Sequence, residues 1–431
     1  MLPLVPKTSA WLSSRAASER LGVKLATLYA YASRGLVTSL PADGPRGRRY
    51  AAEDVERLRT RHAARSGHGP VAAGALRFGE PVLETKISQV SAEGPVYRGH
   101  SAIELCRADI GFERVAELLW TGVLPSSAVG AGAARLECDA PRLWPLLKGR
   151  AALPKMALIV AALALGDDDR HAASDEAEHA RARAIAHWLA LTSSARAPSR
   201  AAQGSFEWGE QSVARTLLTA LRAPLSAKNV LQVDRALVLC AEHELNASTF
   251  AARVTASAGT DLYACLGSAL GALSGNVHGG ICDRVEAFVT AIGSPARAAR
   301  TVRACLARGE PVPGFGHQLY PAGDPRGTLL IELARADGAR SEAARSALAM
   351  HEAMSRGGHP GPTLDAGLVT LCHCLGLPPG AAAAIFAVGR TAGWVAHVLE
   401  QRAAGYLVRP RAHYVGANPV SAERSPIRRV E

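Results

Sequence analysis

The apolar positions of this chain recur mostly at three- and four-residue spacing, the mark of helices with one buried face. Phe112 to Thr121 places Val115, Leu118 and Leu119 on one side and stops at Gly122. Pro154 to Leu165 reads as a buried helix, and Asp167 to Leu191 as a long helix with one charged face. Ile281 to Ile292 follows a Gly-Gly pair, and Arg390, Trp394, His397 and Gln401 share a face of a helix whose neighbours Ile385, Val388 and Val395 are apolar. Ser193 to Gly204, with Pro198 inside it, reads as a loop. Alternation of period two is confined to Glu84–Ser88 and Val96–His100, two short extended segments about a Gly-Pro turn. The fold class is therefore mainly α.

The first 70 residues follow a different pattern. Ser14–Leu21 and Leu25–Ser33 are two short helices broken at Gly22, and the second ends at Arg34-Gly35. Pro41 to Tyr50 reads as a basic hairpin, and Glu53 to Ala63 as a third helix with Val55 and Leu58 inward. The run "LGVKLATLYAYASRGL…RRY…DVERL" resembles the winged helix-turn-helix of the MerR and excisionase type. In such a module the second helix enters the major groove. Arg34, Arg46, Arg48 and Arg49 would then meet phosphates, in a dimer for useful specificity. The alternative is a module kept for docking or for stabilising a dimer. Ser66 to about Gly79 reads as a Gly- and Ala-rich linker.

Charge sharpens that division. The chain has 431 residues and a net charge of +11. Residues 1–70 hold twelve Lys/Arg against five Asp/Glu, which is +7 of that total. The basic character belongs mainly to the N-terminal unit and points to a polyanionic partner there. Met156–Leu165 is too short to span a bilayer, and Arg15 and Arg20 interrupt any signal core, so the reading is a cytoplasmic protein without a membrane partner. The eight cysteines form no CxxC pair and read as reduced thiols. Cys372-His373-Cys374 is their one tight cluster, and it reads as ordinary helix, so no metal site is expected.

Candidate chemistry is concentrated between residues 240 and 411. His243 opens His-Glu-Leu-Asn-Ala-Ser-Thr, His278 closes Gly-Asn-Val-His before Gly279-Gly280, His317 ends Pro-Gly-Phe-Gly-His, and Asp365 ends Pro-Thr-Leu-Asp. His278 at a helix start is expected to be a neutral imidazole, suited to hydrogen-bond a forming enolate oxygen. Triosephosphate isomerase uses a neutral histidine electrophile of this kind. Asp365 suits the base for a carbon-bound proton activated by a thioester, and equally an N-cap for the helix from Ala366. Arginine forks suit a dicarboxylic keto acid.

The ordered strings "AEHELNASTFAARV", "GNVHGG", "GFGH…DPR", "PTLD", "GRTAGWVAHVLEQ" and "LVRPRAHYVG", with "TKIS…VYRGHSAIELC…FERVAELLWTGVLP" before them, resemble the citrate synthase family over about residues 83–420. The resemblance implies the fold of that family, with a large domain over 83–275 and 376–431 and a smaller, mobile one over 276–375. A helix-turn-helix domain over 1–66 and a linker over 67–82 precede them. It implies an acyltransferase condensing acetyl-CoA with oxaloacetate to give citrate and CoA, the entry step of the tricarboxylic acid cycle. Two alternatives stand beside it: a 2-methylcitrate synthase using propionyl-CoA, and a DNA-binding regulator whose enzyme-like body senses metabolites. By resemblance His278, His317 and Asp365 are catalytic, with His317 on the ketone oxygen. His243, Arg326, Arg390 and Arg409 bind the keto acid, with Arg409 reaching a partner subunit's site in at least a homodimer. No cofactor is bound, and the coenzyme A thioester is a substrate. Two departures are visible. Gln318-Leu319-Tyr320-Pro321 lacks the basic residue usual there, and Thr363 stands where Asn is usual.

Overall fold

The computed structural model describes residues 11–58, except 35, 42–47, 53 and 56–57, then 83–410, except 129–131, 137, 173, 195–196 and 198–207, and Gly416. Two compact units emerge, one covering Thr85–Val408 and the other holding the described residues before it.

In the N-terminal unit, strand β1 (Trp11–Ser13) leads into helix α1 (Ser14–Leu21), and Ser13 caps it by accepting from Ala16 N at 3.2 Å. Gly22 closes the helix at φ 64°, a left-handed value that a side chain would strain. Helix α2 (Leu25–Ser33) follows. Strands β2 (Ser39–Pro41) and β3 (Arg48–Ala51) form the expected hairpin arms, but β3 also pairs with β1, so the sheet order is β1-β3-β2. Strand β1 escaped the sequence reading because three residues carry too little alternation. Ala17, Leu21, Leu28, Val37, Tyr50, Val55 and Leu58 make the small core. The expected linker, and most of the expected third helix, lie outside the described residues.

The larger unit opens with a three-stranded antiparallel sheet of β4 (Ser88–Ser91), β5 (Gly94–Tyr97) and β6 (His100–Ser101). The first strand starts at Ser88, not Glu84. Helices then follow one another: α3 (Ala102–Arg107), α4 (Phe112–Thr121), α5 (Ala140–Leu147), α6 (Ala152–Leu165), α7 (Asp175–Thr192), α8 (Val213–Ala220), α9 (Ala227–Cys240), α10 (Ala247–Ser257), α11 (Leu262–Leu273), α12 (Ile281–Ile292), α13 (Ala298–Ala307), α14 (Pro325–Asp337), α15 (Glu342–Arg356), α16 (Leu364–Cys374) and α17 (Ala381–Ala404). Helix α7 begins eight residues later than its composition suggested. Asp167 accepts from Asp169 N at 3.1 Å and from Arg181 Nε at 2.7 Å, which holds the chain in turns until Ser174 caps the helix.

Helix α17 is the spine. It is apolar and long enough to cross a membrane, yet 94% of its apolar window is buried inside the fold, which makes it a core helix. Helices α6, α9, α10, α11 and α4 pack around it. Helices α14 and α16 cross closely because both carry glycine at the crossing. A Cβ on Gly327 would lie 2.3 Å from Thr363 O, and one on Gly367 would lie 2.6 Å from Gly327 O. That crossing sets the segment carrying Asp365 against the segment carrying Arg326.

Candidate active site

Helix α9 ends at Cys240, and a short turn delivers His243 before Asn246 caps α10 by accepting from Thr249 N at 3.0 Å. Glu244 inside that turn has φ 55°, a strained value for a residue with a side chain, and such strain collects at functional sites. His243 is buried, and its Nε2 lies 3.0 Å from the Tyr320 hydroxyl. Ser248, the second residue of α10, accepts from Trp394 Nε1 at 3.1 Å and lies 2.8 Å from His278 Nε2. Its hydroxyl donates to Asn246 Oδ1 at 2.7 Å. Turned from Asn246 to His278 Nε2, that single hydrogen would leave the ring proton on Nδ1.

His278 sits in a tight turn between α11 and α12, its N–H donating to Gly275 O at 2.9 Å. A Cβ on the next residue, Gly279, would be 2.5 Å from Leu273 O, so the close turn demands glycine. The imidazole is neutral, as the sequence suggested, but for a different main reason. Burial pushes it down to about 4, with the Arg390 charge as the second cause.

His317 is placed by a glycine-dependent loop. Gly314 has φ +80°, and a Cβ there would meet Val285 and Ala366 under 3 Å. Thr363 N donates to Gly314 O at 2.8 Å and Gly316 N to Gly361 O at 3.0 Å, which ties the loop to the segment before Asp365. Leu319 N donates to His317 Nδ1 at 3.1 Å, and a backbone N–H can only donate. The proton of the neutral ring therefore rests on Nε2. Burial lowers this imidazole, opposed by Asp324. The His317 ring stands edge-on to His243, centroids 5.6 Å apart, and 5.0 Å from the ring of Tyr320.

Arg326 and Arg390 are both buried. Arg390 donates from Nε to Cys240 O at 2.7 Å and lies 4.9 Å from the Phe386 ring, which is also edge-on to His278. Arg326 differs from a free clamp: Asp324 accepts from its Nε at 3.0 Å and from its second amino nitrogen at 2.6 Å. Asp324 is fully buried and caps α14 through Arg326 N. Donor atoms of His243, His317 and Asp324 lie within 4.8 Å of one another, close enough for a divalent cation. The local field favours an anion instead. Both Asp324 oxygens are taken by Arg326, and burial, Arg326 and Arg390, in that order, depress His243.

Asp365 lies in the first turn of α16, and Thr363 rather than Asp365 occupies the cap position, so the capping reading of Asp365 is replaced. Its carboxylate accepts from the Cys282 thiol at 3.3 Å on Oδ1 and from the Thr363 hydroxyl at 3.3 Å on Oδ2. Burial raises it above the usual carboxylate range, opposed chiefly by the Cys282 bond. The neighbouring Cys240 thiol feels Arg390, Arg326, Asp365 and Asp324 together, which marks these groups as one cluster.

The structure thus brings together His243, His278, His317, Arg326, Asp365 and Arg390, all within the larger unit. Sequence reasoning missed Ser248, Asp324, Cys282 and Tyr320. Asp324 carried a signal in its capping place before Pro325, whereas Ser248, Cys282 and Tyr320 carried none. Behind the cluster, Arg253 donates to His397 Nδ1 at 3.2 Å and His397 Nε2 meets Glu242 at 3.2 Å, so this expected helix face serves as buried support. Arg409 is exposed and follows the last residue of that unit. Arg34, Arg48 and Arg49 are exposed in the N-terminal unit, and Arg46 lies outside the described residues.

Residues 77–411 match the family model for the citrate synthase C-terminal domain. The chain belongs to the citrate synthase family. Residues 12–69 match the model for MerR HTH family regulatory proteins. A citrate synthase of Haloferax volcanii is 33% identical over 367 residues, covering 78% of this chain and 93% of that one. A 2-methylcitrate synthase of Mycobacterium tuberculosis is 34% identical over 355 residues, covering 78% and 89%. A putative citrate synthase 2 of Mycobacterium bovis is 40% identical over 203 residues, and there the match spans only 54% of the relative's length. The solved citrate synthase of Thermotoga maritima superposes with a TM-score of 0.66 at 28% identity, over 82% of this chain and 98% of that chain. The citrate synthase family fold, mainly helical and preceded by a helix-turn-helix unit, is therefore the fold of this chain.

Proposed function

We propose that the chain condenses acetyl-CoA with oxaloacetate, releasing citrate and CoA. The observation that carries this reading is the meeting of a buried carboxylate of raised basicity with two neutral imidazoles and two buried guanidinium groups. Asp365 takes the methyl proton of the thioester. The His278 ring, held through Ser248, donates to the enolate oxygen that forms, and such placed donors supply a large share of a barrier reduction. His317 donates from Nε2 to the ketone oxygen of oxaloacetate and supplies the proton as the carbon–carbon bond forms. His243 and Arg390 hold the carboxylates, joined by the edge of Arg326 that Asp324 leaves open. Water then hydrolyses the citryl thioester. In this reading residues 276–375 form a small domain closing on a large one over 83–275 and 376–431, which keeps water out until condensation is complete. Arg409 completes a partner subunit's site in a homodimer, and the enzyme works in the cytoplasm, where its eight unpaired cysteines stay reduced.

A second reading has its own support: the M. tuberculosis relative named 2-methylcitrate synthase matches about as well as the citrate synthases. Propionyl-CoA differs by one methylene, which an apolar pocket discriminates only about 10- to 200-fold. Steady-state CoA release with acetyl-CoA and propionyl-CoA, each with oxaloacetate, decides between them. Release with neither thioester would leave the regulator reading, in which the basic N-terminal unit binds DNA and the body senses metabolites.

A further inference from the structure

We propose that Cys282 and Thr363 are positioning residues for Asp365, one on each carboxylate oxygen, and that together they aim the base at its substrate. The inference rests on the reading of Asp365 as the base.

Three observations carry it. First, the two donors come from different elements. Cys282 is the second residue of α12 and reaches Oδ1, whereas Thr363 precedes α16 and reaches Oδ2. A carboxylate held on both oxygens from two directions loses its rotation about the Cβ–Cγ bond. Secondly, Thr363 stands at the cap of α16, yet its hydroxyl makes no capping bond and turns to Asp365 instead. A threonine in that place ordinarily accepts from a backbone N–H in the first turn, so its hydroxyl is diverted. Thirdly, the Thr363 contact is 3.3 Å, long for a bond to an ionised carboxylate, where O–H donors usually approach to about 2.5–2.7 Å. A thiol is also a weak donor. Weak bonds orient the carboxylate while withdrawing little of its charge. A strong donor in either place would stabilise the anion and blunt a base.

Among the described residues, Cys282 and Thr363 are the side chains bonded to it. Asp324 at the start of α14 acts through space and is bonded to Arg326. From α15, His351 is bonded to Thr370, from α9 Cys240 is a neutral thiol, from α12 Glu286 accepts from Gly380 N, and on α17 Arg390 is bonded to Cys240 O.

The test uses the full chain with Cys282→Ala, Thr363→Val, the double variant, and Thr363→Ser as the conservative control. Each single loss is expected to lower kcat about tenfold and the pair to lower it further, with KM for oxaloacetate within about twofold of wild type. The acidic limb of the kcat profile should move to higher pH in both single variants, because a donor to the anion is lost, and Thr363→Ser should restore it. A packing role alone would lower kcat without moving that limb, and this result in folded variants overturns the proposal. The S–H stretching band, isolated as the infrared difference between wild type and Cys282→Ala, gives a readout without turnover. It should shift to higher frequency in Asp365→Asn. No shift in an active enzyme overturns the proposal alone. A shift in a protein that releases no CoA from either thioester overturns the reading of Asp365 as a base, and the proposal with it.

Discussion

Single residues in this cluster are tuned by burial more than by any charged partner. Asp365 is raised and His278, His317 and His243 are lowered, and in each case loss of water is the first cause. At neutral pH the imidazoles are therefore neutral donors and acceptors, and positive charge in the cluster is left to the two arginines. Replacing Asp365 by Asn keeps the shape and removes the proposed base. Turnover is expected to fall roughly a thousandfold or more while oxaloacetate still binds, as read by single-turnover kinetics and calorimetric titration. Near-normal turnover would remove Asp365 from the mechanism. Arg390→Leu takes away the buried fork proposed to hold the keto acid. KM for oxaloacetate should rise about a hundredfold with the far-ultraviolet circular dichroism unchanged, and an unmoved KM in the folded variant would make Arg390 structural.

At the scale of elements, one carboxylate pair outside the cluster controls how helices meet. Asp234 on α9 accepts from Phe112 N at 3.1 Å at the start of α4, and Glu113 accepts from Val213 N at 2.7 Å at the start of α8. A Cβ built on Gly111 would lie 3.7 Å from an oxygen of each acid, which sets the two side by side. Burial and then the Glu113 charge push Asp234 up to about 8, and burial raises Glu113 as well. A carboxyl raised in the folded state binds its proton there more tightly than when unfolded. Its cost is absent below the unfolded value and grows as pH climbs toward the folded one. The folded chain should thus lose stability between about pH 4 and 8. Asp234→Asn keeps the acceptor and removes the charge. It is expected to raise stability at pH 8 by about 1 kcal/mol or more and to flatten the slope, measured by urea unfolding at several pH values. A variant as pH-sensitive as wild type would place the effect elsewhere.

For the whole molecule the questions concern the basic unit and the partner subunit. Deleting residues 1–70 should leave CoA release within about threefold, because the clustered residues lie in a separate compact unit. Complete loss of activity in a folded deletion variant would mean that the N-terminal unit supports the site. If that unit binds duplex DNA, affinity should fall steeply with salt, and Arg46, Arg48 and Arg49 together changed to Ala should flatten that dependence. Binding without salt dependence would point to docking instead. Mixing inactive Asp365→Asn chains with inactive Arg409→Leu chains should restore part of the activity when sites are shared between subunits. No recovery in a mixed dimer would assign Arg409 a role outside the site.

Helix-forming periodicity and punctuation were legible in the chain itself. Ser14–Leu21, Leu25–Ser33, Phe112–Thr121 and Ile281–Ile292 lie where their apolar spacing and glycines placed them, because those signals act within a few residues. His243, His278, His317, Arg326, Asp365 and Arg390 stood out through motifs with recognisable neighbours, and the fold gathers them into one cluster. Their partners did not stand out. That Ser248 ties His278 to Trp394 and that the Cys282 thiol holds Asp365 depend on contacts spanning up to 146 residues of chain, whereas Asp324 and Thr363 stand two residues from Arg326 and Asp365 and only the folded backbone decides where their side chains turn. Even the neutrality of His278 was expected from a helix start and is produced chiefly by burial. Desolvation and hydrogen-bond geometry are properties of packed neighbours, so the tertiary structure alone decides how strong each acid and base becomes and which way each side chain is held.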